Sequence, residues 1–116
     1  MSDPDCLFCK IASGDIPADI IFEDDFSVAF RDINPQAPTH VLVIPRRHIP
    51  TINDLSADDT ADIGRLYLAA GKIAAEEGFA EPGYRVVMNC NAAAGQTVFH
   101  VHLHLLGGRQ FNWPPG

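Results

Sequence analysis

Residues 98–106 read Val98-Phe99-His100-Val101-His102-Leu103-His104-Leu105-Leu106 and are expected to form the last strand of a sheet. From 100 to 105 histidines alternate with aliphatic residues, the period-2 signature of a strand with two unlike faces. The spacing predicts that His100, His102 and His104 share one face while Val101, Leu103 and Leu105 take the other and bury against a helix. A single histidine on a strand is ordinarily a satisfied structural residue. Three on one face, repeating every roughly 6.5–7 Å, are too polar for simple core filler. They suit either ligation of a metal or work as nucleophile and acid around one substrate. Ligation of one ion by all three is hard, because the outer pair spans too far without bending.

Working outward, Val41-Leu42-Val43-Ile44 is apolar on both faces, as expected of a central strand covered on each side. Ile20-Ile21-Phe22 and Phe26 to Phe30 read as a hairpin with the acidic turn Glu23-Asp24-Asp25, and Tyr84 to Met88 adds another strand. Cys6 to Ser13 predicts a short helix ended by Gly14. Ser56 followed by Asp58 and Asp59 predicts the start of a long helix that runs to Glu76 or Glu77, with Gly78 near its C-cap. Ile63, Leu66, Tyr67, Ala70 and Ala74 would form its buried stripe. Gly64 and Gly71, beside that stripe, are either a tolerated loss of propensity, roughly 1 kcal/mol each, or places where another backbone comes close. The whole predicts an α+β fold: a five-stranded, mainly antiparallel sheet with one long and one or two short helices, in a single domain over residues 1–116.

The 116 residues are 47% hydrophobic and 20% charged, typical of a chain that folds. A formal net charge of -7 with no long run of either sign argues against a nucleic-acid or anionic-lipid footprint. An anionic ligand must be drawn in locally, by backbone N–H groups, imidazoles or a metal. The acidic start Met1-Ser2-Asp3-Pro4-Asp5 resembles no targeting segment, and no apolar stretch approaches the roughly 20 residues of a membrane helix. Three cysteines, Cys6, Cys9 and Cys90, fit a reducing compartment, so the cytoplasm is expected. Cys90 has no partner in sequence. Cys6-Leu7-Phe8-Cys9 has the spacing of half a zinc site, which alone is ambiguous between metal, redox and chance. Asp32-Ile33-Asn34-Pro35 is a good turn initiator, and Gly95 lets the backbone near a ligand.

His100 to Leu106 resembles the signature of the histidine triad (HIT) superfamily. The stretches IIFEDD (20–25), PQAPTH (35–40), LVIP (42–45) and GGRQFNWPPG (107–116) resemble its Hint branch, the nucleoside phosphoramidases, so that the likeness runs from Cys6 to the last residue. The resemblance implies a hydrolase that cleaves the P–N bond of purine nucleoside 5'-phosphoramidates of the AMP-amine type through a nucleotidyl-histidine. His102 matches the nucleophile, with its second ring nitrogen held by a backbone carbonyl. His104 and Asn89 match groups near the phosphate and leaving group. Gly95, Gln96 and Thr97 match the phosphate loop, with Gln96 and Thr97 as donors. Asp32 matches the ribose carboxylate, and Ile33 and Phe22 would flank the base.

The resemblance also implies a structural zinc on Cys6, Cys9, His48 and His100, which other members dispense with, and no organic cofactor. His40 is expected to be structural. A homodimer is implied in which two sheets join into ten strands and the long helices pack. Rival readings stay open: a non-catalytic nucleotide-binding module, a metal-dependent hydrolase with a catalytic ion on the histidines, or a dinucleoside polyphosphate hydrolase. The WPPG tail favours the phosphoramidase.

Overall fold

The computed structural model describes residues 3–116. Seven main elements follow one another: α1 (Leu7–Ser13), β1 (Ile20–Glu23), β2 (Ser27–Arg31), β3 (Thr39–Pro45), α2 (Thr60–Glu77), β4 (Tyr84–Val87) and β5 (Leu103–Gly107), with short 3-10 turns between some of them. The strands form one sheet in the order β1-β2-β3-β5-β4, and every neighbouring pair is antiparallel. The expected architecture is therefore the observed one. No helix among the described residues is long and apolar enough to cross a membrane.

β3 is central because both of its faces are apolar. Val41 and Val43 join Leu103, Leu105 and the buried side of α2 in one cluster, while Leu42 and Ile44 join Phe8, Cys9 and Ile11 of α1 in another. The acidic β1–β2 turn closes on itself, with the Asp24 carboxylate accepting from the N–H groups of Phe26 and Ser27 at 2.8 Å. α1 starts at Cys6, whose sulfur accepts from the Cys9 N–H, and stops at Gly14 in the left-handed region (φ 86°).

α2 departs from expectation in two respects. Ser56 caps a 3-10 turn (Ala57–Asp59) rather than the helix itself, because the buried Asp59 carboxylate turns back to accept its N–H at 2.9 Å. The buried stripe is Leu66, Ala69, Ala70, Ile73 and Ala74, with Ile63 partly covered. Tyr67 is 51% exposed; one residue past Leu66 it is turned about 100° away from the core line. Gly64 has open space around it, and a Cβ on Gly71 would meet only the Tyr84 hydroxyl at 3.8 Å, so no other backbone among the described residues comes close.

The histidine run is only partly a strand. The ladder between β3 and β5 begins at Leu103, opposite Val43, and residues 98–102 lie outside it. β3 ends at Pro45, which has no N–H to contribute, and the chain then veers into the 46–50 segment. That segment holds the run by single contacts: Val101 N–H donates to Ile49 O at 2.8 Å, and the His100 ring donates from Nε2 to Pro45 O at 2.7 Å.

Candidate active site

On the α1 side of the sheet lies a cavity of about 740 Å3. Phe8 and Ile11 of α1, Phe30 of β2 and Leu42 of β3 give it apolar walls; Asp32, Ile33, Thr97, His102 and His104 also line it. An apolar cleft with a few convergent polar groups is the usual form of a small-molecule site.

His102 is buried but for 8% of its surface, and its Nδ1 lies 2.7 Å from the His100 carbonyl. A carbonyl only accepts, so Nδ1 carries the ring proton and Nε2 keeps its lone pair. Burial pushes the His102 pKa down, which keeps the ring neutral and that lone pair available near pH 7. Phe8 stands edge-on to this ring, 5.1 Å between centroids at 87°.

His104 belongs to a chain of imidazoles. The Gln36 N–H donates to His40 Nδ1 at 3.0 Å, so neutral His40 must hold its proton on Nε2. That Nε2 lies 2.9 Å from His104 Nδ1, which therefore accepts, leaving the His104 Nε2–H as a donor. Burial, with His102 and His40 nearby, lowers the His104 pKa to about 4; burial lowers that of His40 as well. His40, expected to be structural, thus sets the tautomer of a cavity residue. Asp32, His40 and His104 lie close enough together for metal ligation. With Nδ1 accepting from Gln36 and Nε2 protonated, however, His40 has no lone pair left for an ion.

Asp32 Oδ1 accepts from the Asn34 N–H at 2.8 Å, as a turn initiator should, and the residue also lines the cavity, with Oδ2 3.4 Å from His40 Nε2. Ile33 is 101% exposed, at the rim. Gly95 has φ 88° and ends the turn Ala92–Ala94; exposed Thr97 lines the cavity.

Two expectations need correction. The Gln96 side chain is no phosphate donor: its Nε2 donates to Pro50 O and Val98 O at 2.8 and 3.1 Å, and its Oε1 accepts from the Asn91 N–H at 2.8 Å. Its backbone N–H is also engaged, on Asn91 O. It is a buried staple for the loop. Phe22 packs against the α2 cluster, with Lys72 over its ring, and does not line the cavity. Phe8 and Phe30 supply the aromatic walls. Asn89 is half-buried, two residues beyond the end of β4.

Cys6, Cys9, His48 and His100 converge beside this cavity. Cys6 Sγ lies 3.4 Å and Cys9 Sγ 3.5 Å from His100 Nδ1, Cys9 Sγ lies 3.5 Å from His48 Nδ1, and the two Nδ1 atoms are 3.2 Å apart. Tetrahedral zinc with ordinary bond lengths puts N–N and N–S edges at about 3.3–3.6 Å, so the donors fit that ion. The remaining His100 nitrogen donates to Pro45 O, and that of His48 faces Asp3 at 3.7 Å, the outer partners a ligating histidine requires. Burial pushes the Cys9 thiol up, whereas a dication would hold it as thiolate.

An antiparallel five-stranded sheet carrying paired imidazoles into an apolar cleft is the arrangement of a histidine-triad hydrolase. The chain belongs to the HIT domain family, whose model matches residues 13–111, and it is an enzyme of that hydrolase family. The purine nucleoside phosphoramidase of Escherichia coli (strain K12) is 55% identical over 103 residues, 89% of this chain and 87% of that protein. An uncharacterized HIT-like protein of Synechococcus elongatus is 53% identical over 97% of both chains. Among solved structures, a HIT family hydrolase from Legionella pneumophila superposes with a TM-score of 0.95 at 58% identity, covering 97% of this chain and 100% of that one. A histidine triad protein from Clostridium difficile gives 0.94 at 41%, covering 97% of each.

Proposed function

We propose that the protein hydrolyses purine nucleoside 5'-phosphoramidates, releasing a nucleoside monophosphate and an amine through a nucleotidyl-His102 intermediate. The observation that carries this reading is the bond from His102 Nδ1 to the His100 carbonyl, which leaves Nε2 as a fixed, neutral nucleophile at the cavity. The 55% identity to a purine nucleoside phosphoramidase supports the substrate class.

The base lies between the apolar walls, the ribose hydroxyls donate to Asp32, and the phosphate meets Thr97, His102 and His104. His102 Nε2 attacks the phosphorus as the P–N bond breaks. The nitrogen takes a proton as it leaves, from the Nε2–H side of His104, whose pKa rises toward neutrality once an anionic phosphate is beside it. The phosphorylated imidazolium keeps its Nδ1–H on the His100 carbonyl, which spreads the new charge. Water then attacks phosphorus and gives a proton back to His104 Nε2, the P–N bond to His102 breaks, and its electron pair returns to His102 Nε2. Two lower barriers replace one high one. Asn89, two residues beyond β4, assists the departing amine.

Cys6, Cys9, His48 and His100 would hold a zinc ion, which would supply cross-linking rather than Lewis acidity. The active form is a homodimer in the cytoplasm.

The test is AMP release from adenosine 5'-phosphoramidate. His102→Ala is expected to lower turnover by about 10³-fold or more while AMP still binds. Equal turnover in the variant, or none in the intact protein, removes the reading.

A further inference from the structure

Because β5 starts only at Leu103, the backbone carrying His102 is not fixed by a sheet ladder. His100 fixes it instead. This fully buried ring donates from Nε2 to Pro45 O, presents Nδ1 to the cysteine–histidine cluster, and offers its own carbonyl to the Nδ1–H of His102. One residue thus joins the cluster to the ring in the cavity. A second link runs through α1: Phe8 lies between Cys6 and Cys9, lines the cavity, and stands edge-on to both His100 and His102 at 6.0 and 5.1 Å. The third is the 46–50 segment, which brings His48 to the cluster and whose Ile49 carbonyl accepts from Val101 N–H. Three segments, two of which line the cavity, meet at four donor atoms.

We infer that the Cys6–Cys9–His48–His100 centre is a positioning device for the nucleotide site: a bound metal ion holds Phe8 and the His102 ring in register, so metal occupancy governs nucleotide affinity as well as stability. This rests on the reading that His102 faces the phosphate. Apolar packing alone holds α1 on the sheet without directional preference, whereas an ion fixes four donors to within about 0.2 Å. Misplacing a reacting group by about 1 Å costs on the order of 100-fold in rate.

The test compares zinc-loaded full-length protein with the same protein after chelation, at a temperature where far-UV circular dichroism shows both folded. AMP affinity by calorimetry and the 15N ring resonances of His102 are read without any turnover. Chelation is expected to weaken AMP binding by about 10-fold or more and to convert the single Nδ1–H tautomer of His102 into a mixture, both reversed by zinc. Phe8→Leu, which keeps all four ligands, is expected to retain one zinc per chain and yet disturb the His102 resonances in nucleotide-free protein. Unchanged AMP affinity and unchanged His102 resonances in folded, chelated protein overturn the inference. Should chelated protein not fold, unchanged His102 resonances in zinc-loaded Phe8→Leu overturn it equally. Failure of the phosphoramidase reading looks different: zinc-loaded protein that binds AMP but releases none from the phosphoramidate.

Discussion

His104 shows how a neighbour decides a side chain's chemistry. Its pKa of about 4 lies below the ordinary histidine value, so the unfolded chain takes up that proton before the folded one does. Stability from this residue is complete above about pH 6.5 and is lost as pH falls toward 4. The interval is worth about 3 kcal/mol at most, and nearer to about 2 kcal/mol once the solvent reaching the cavity is allowed for. Urea denaturation at pH 7 and pH 4.5 should show His104→Gln losing less stability between the two than the parent does; equal losses would refute the assignment. The run of three histidines announced this site, and Asp32 was readable beside it. The His40 relay was not, because its meaning lies in the Gln36 N–H donating to Nδ1, a contact set by loop geometry. Gln96 misleads for a similar reason: a polar residue in a glycine loop reads as a ligand donor, yet three backbone groups claim its amide.

At the scale of elements, periodicity identifies faces but not partners. It placed β3 at the centre through its unbroken apolar run, and it separated Leu103 and Leu105 from the histidines. It also predicted a strand through residues 98–102, where the ladder is absent because β3 ends at Pro45. The join between β5 and α2 shows what such patterns omit. A Cβ built on Gly107 would lie 2.6 Å from Cδ1 and Cε1 of Phe79, the buried residue just after the helix cap Gly78. Gly107 therefore admits that ring into the core. Gly107→Ala is expected to destabilise by about 1–3 kcal/mol through overpacking. In a Phe79→Leu background the same change should cost at least about 1 kcal/mol less. Chemical denaturation of the four proteins gives this cycle directly, and strictly additive costs would show that the ring is not what Gly107 accommodates.

Across the whole molecule, burial is lopsided. The α1 side of the sheet carries the cavity and the cysteine–histidine cluster, while the α2 side leaves apolar surface uncovered. On α2, Gly64, Leu68, Gly71 and Ala75 recur at four, three and four residues, with Leu68 76% exposed and Tyr67 alongside. Gly71 adjoins Tyr84, the first residue of β4, which ends the sheet and pairs with β5 alone among the described strands. Small residues let a second helix approach closely, and an unpaired strand edge accepts a second strand. A second copy related by a two-fold axis would satisfy both at once and give the ten-stranded sheet proposed for the dimer. Each copy brings a formal charge of -7, so association works against like-charge repulsion and should tighten as salt screens it. Sedimentation equilibrium at micromolar concentration is expected to give twice the monomer mass, with the dimer favoured further at higher ionic strength. Leu68→Arg should yield a folded monomer, since Leu68, unlike Leu66, contributes nothing to its own subunit's core. Zinc content should be unchanged in that variant, because the cluster lies on the other side of the sheet. A parent protein that sediments as a monomer, or a Leu68→Arg variant that still sediments as a dimer, places the contact elsewhere than on this stripe.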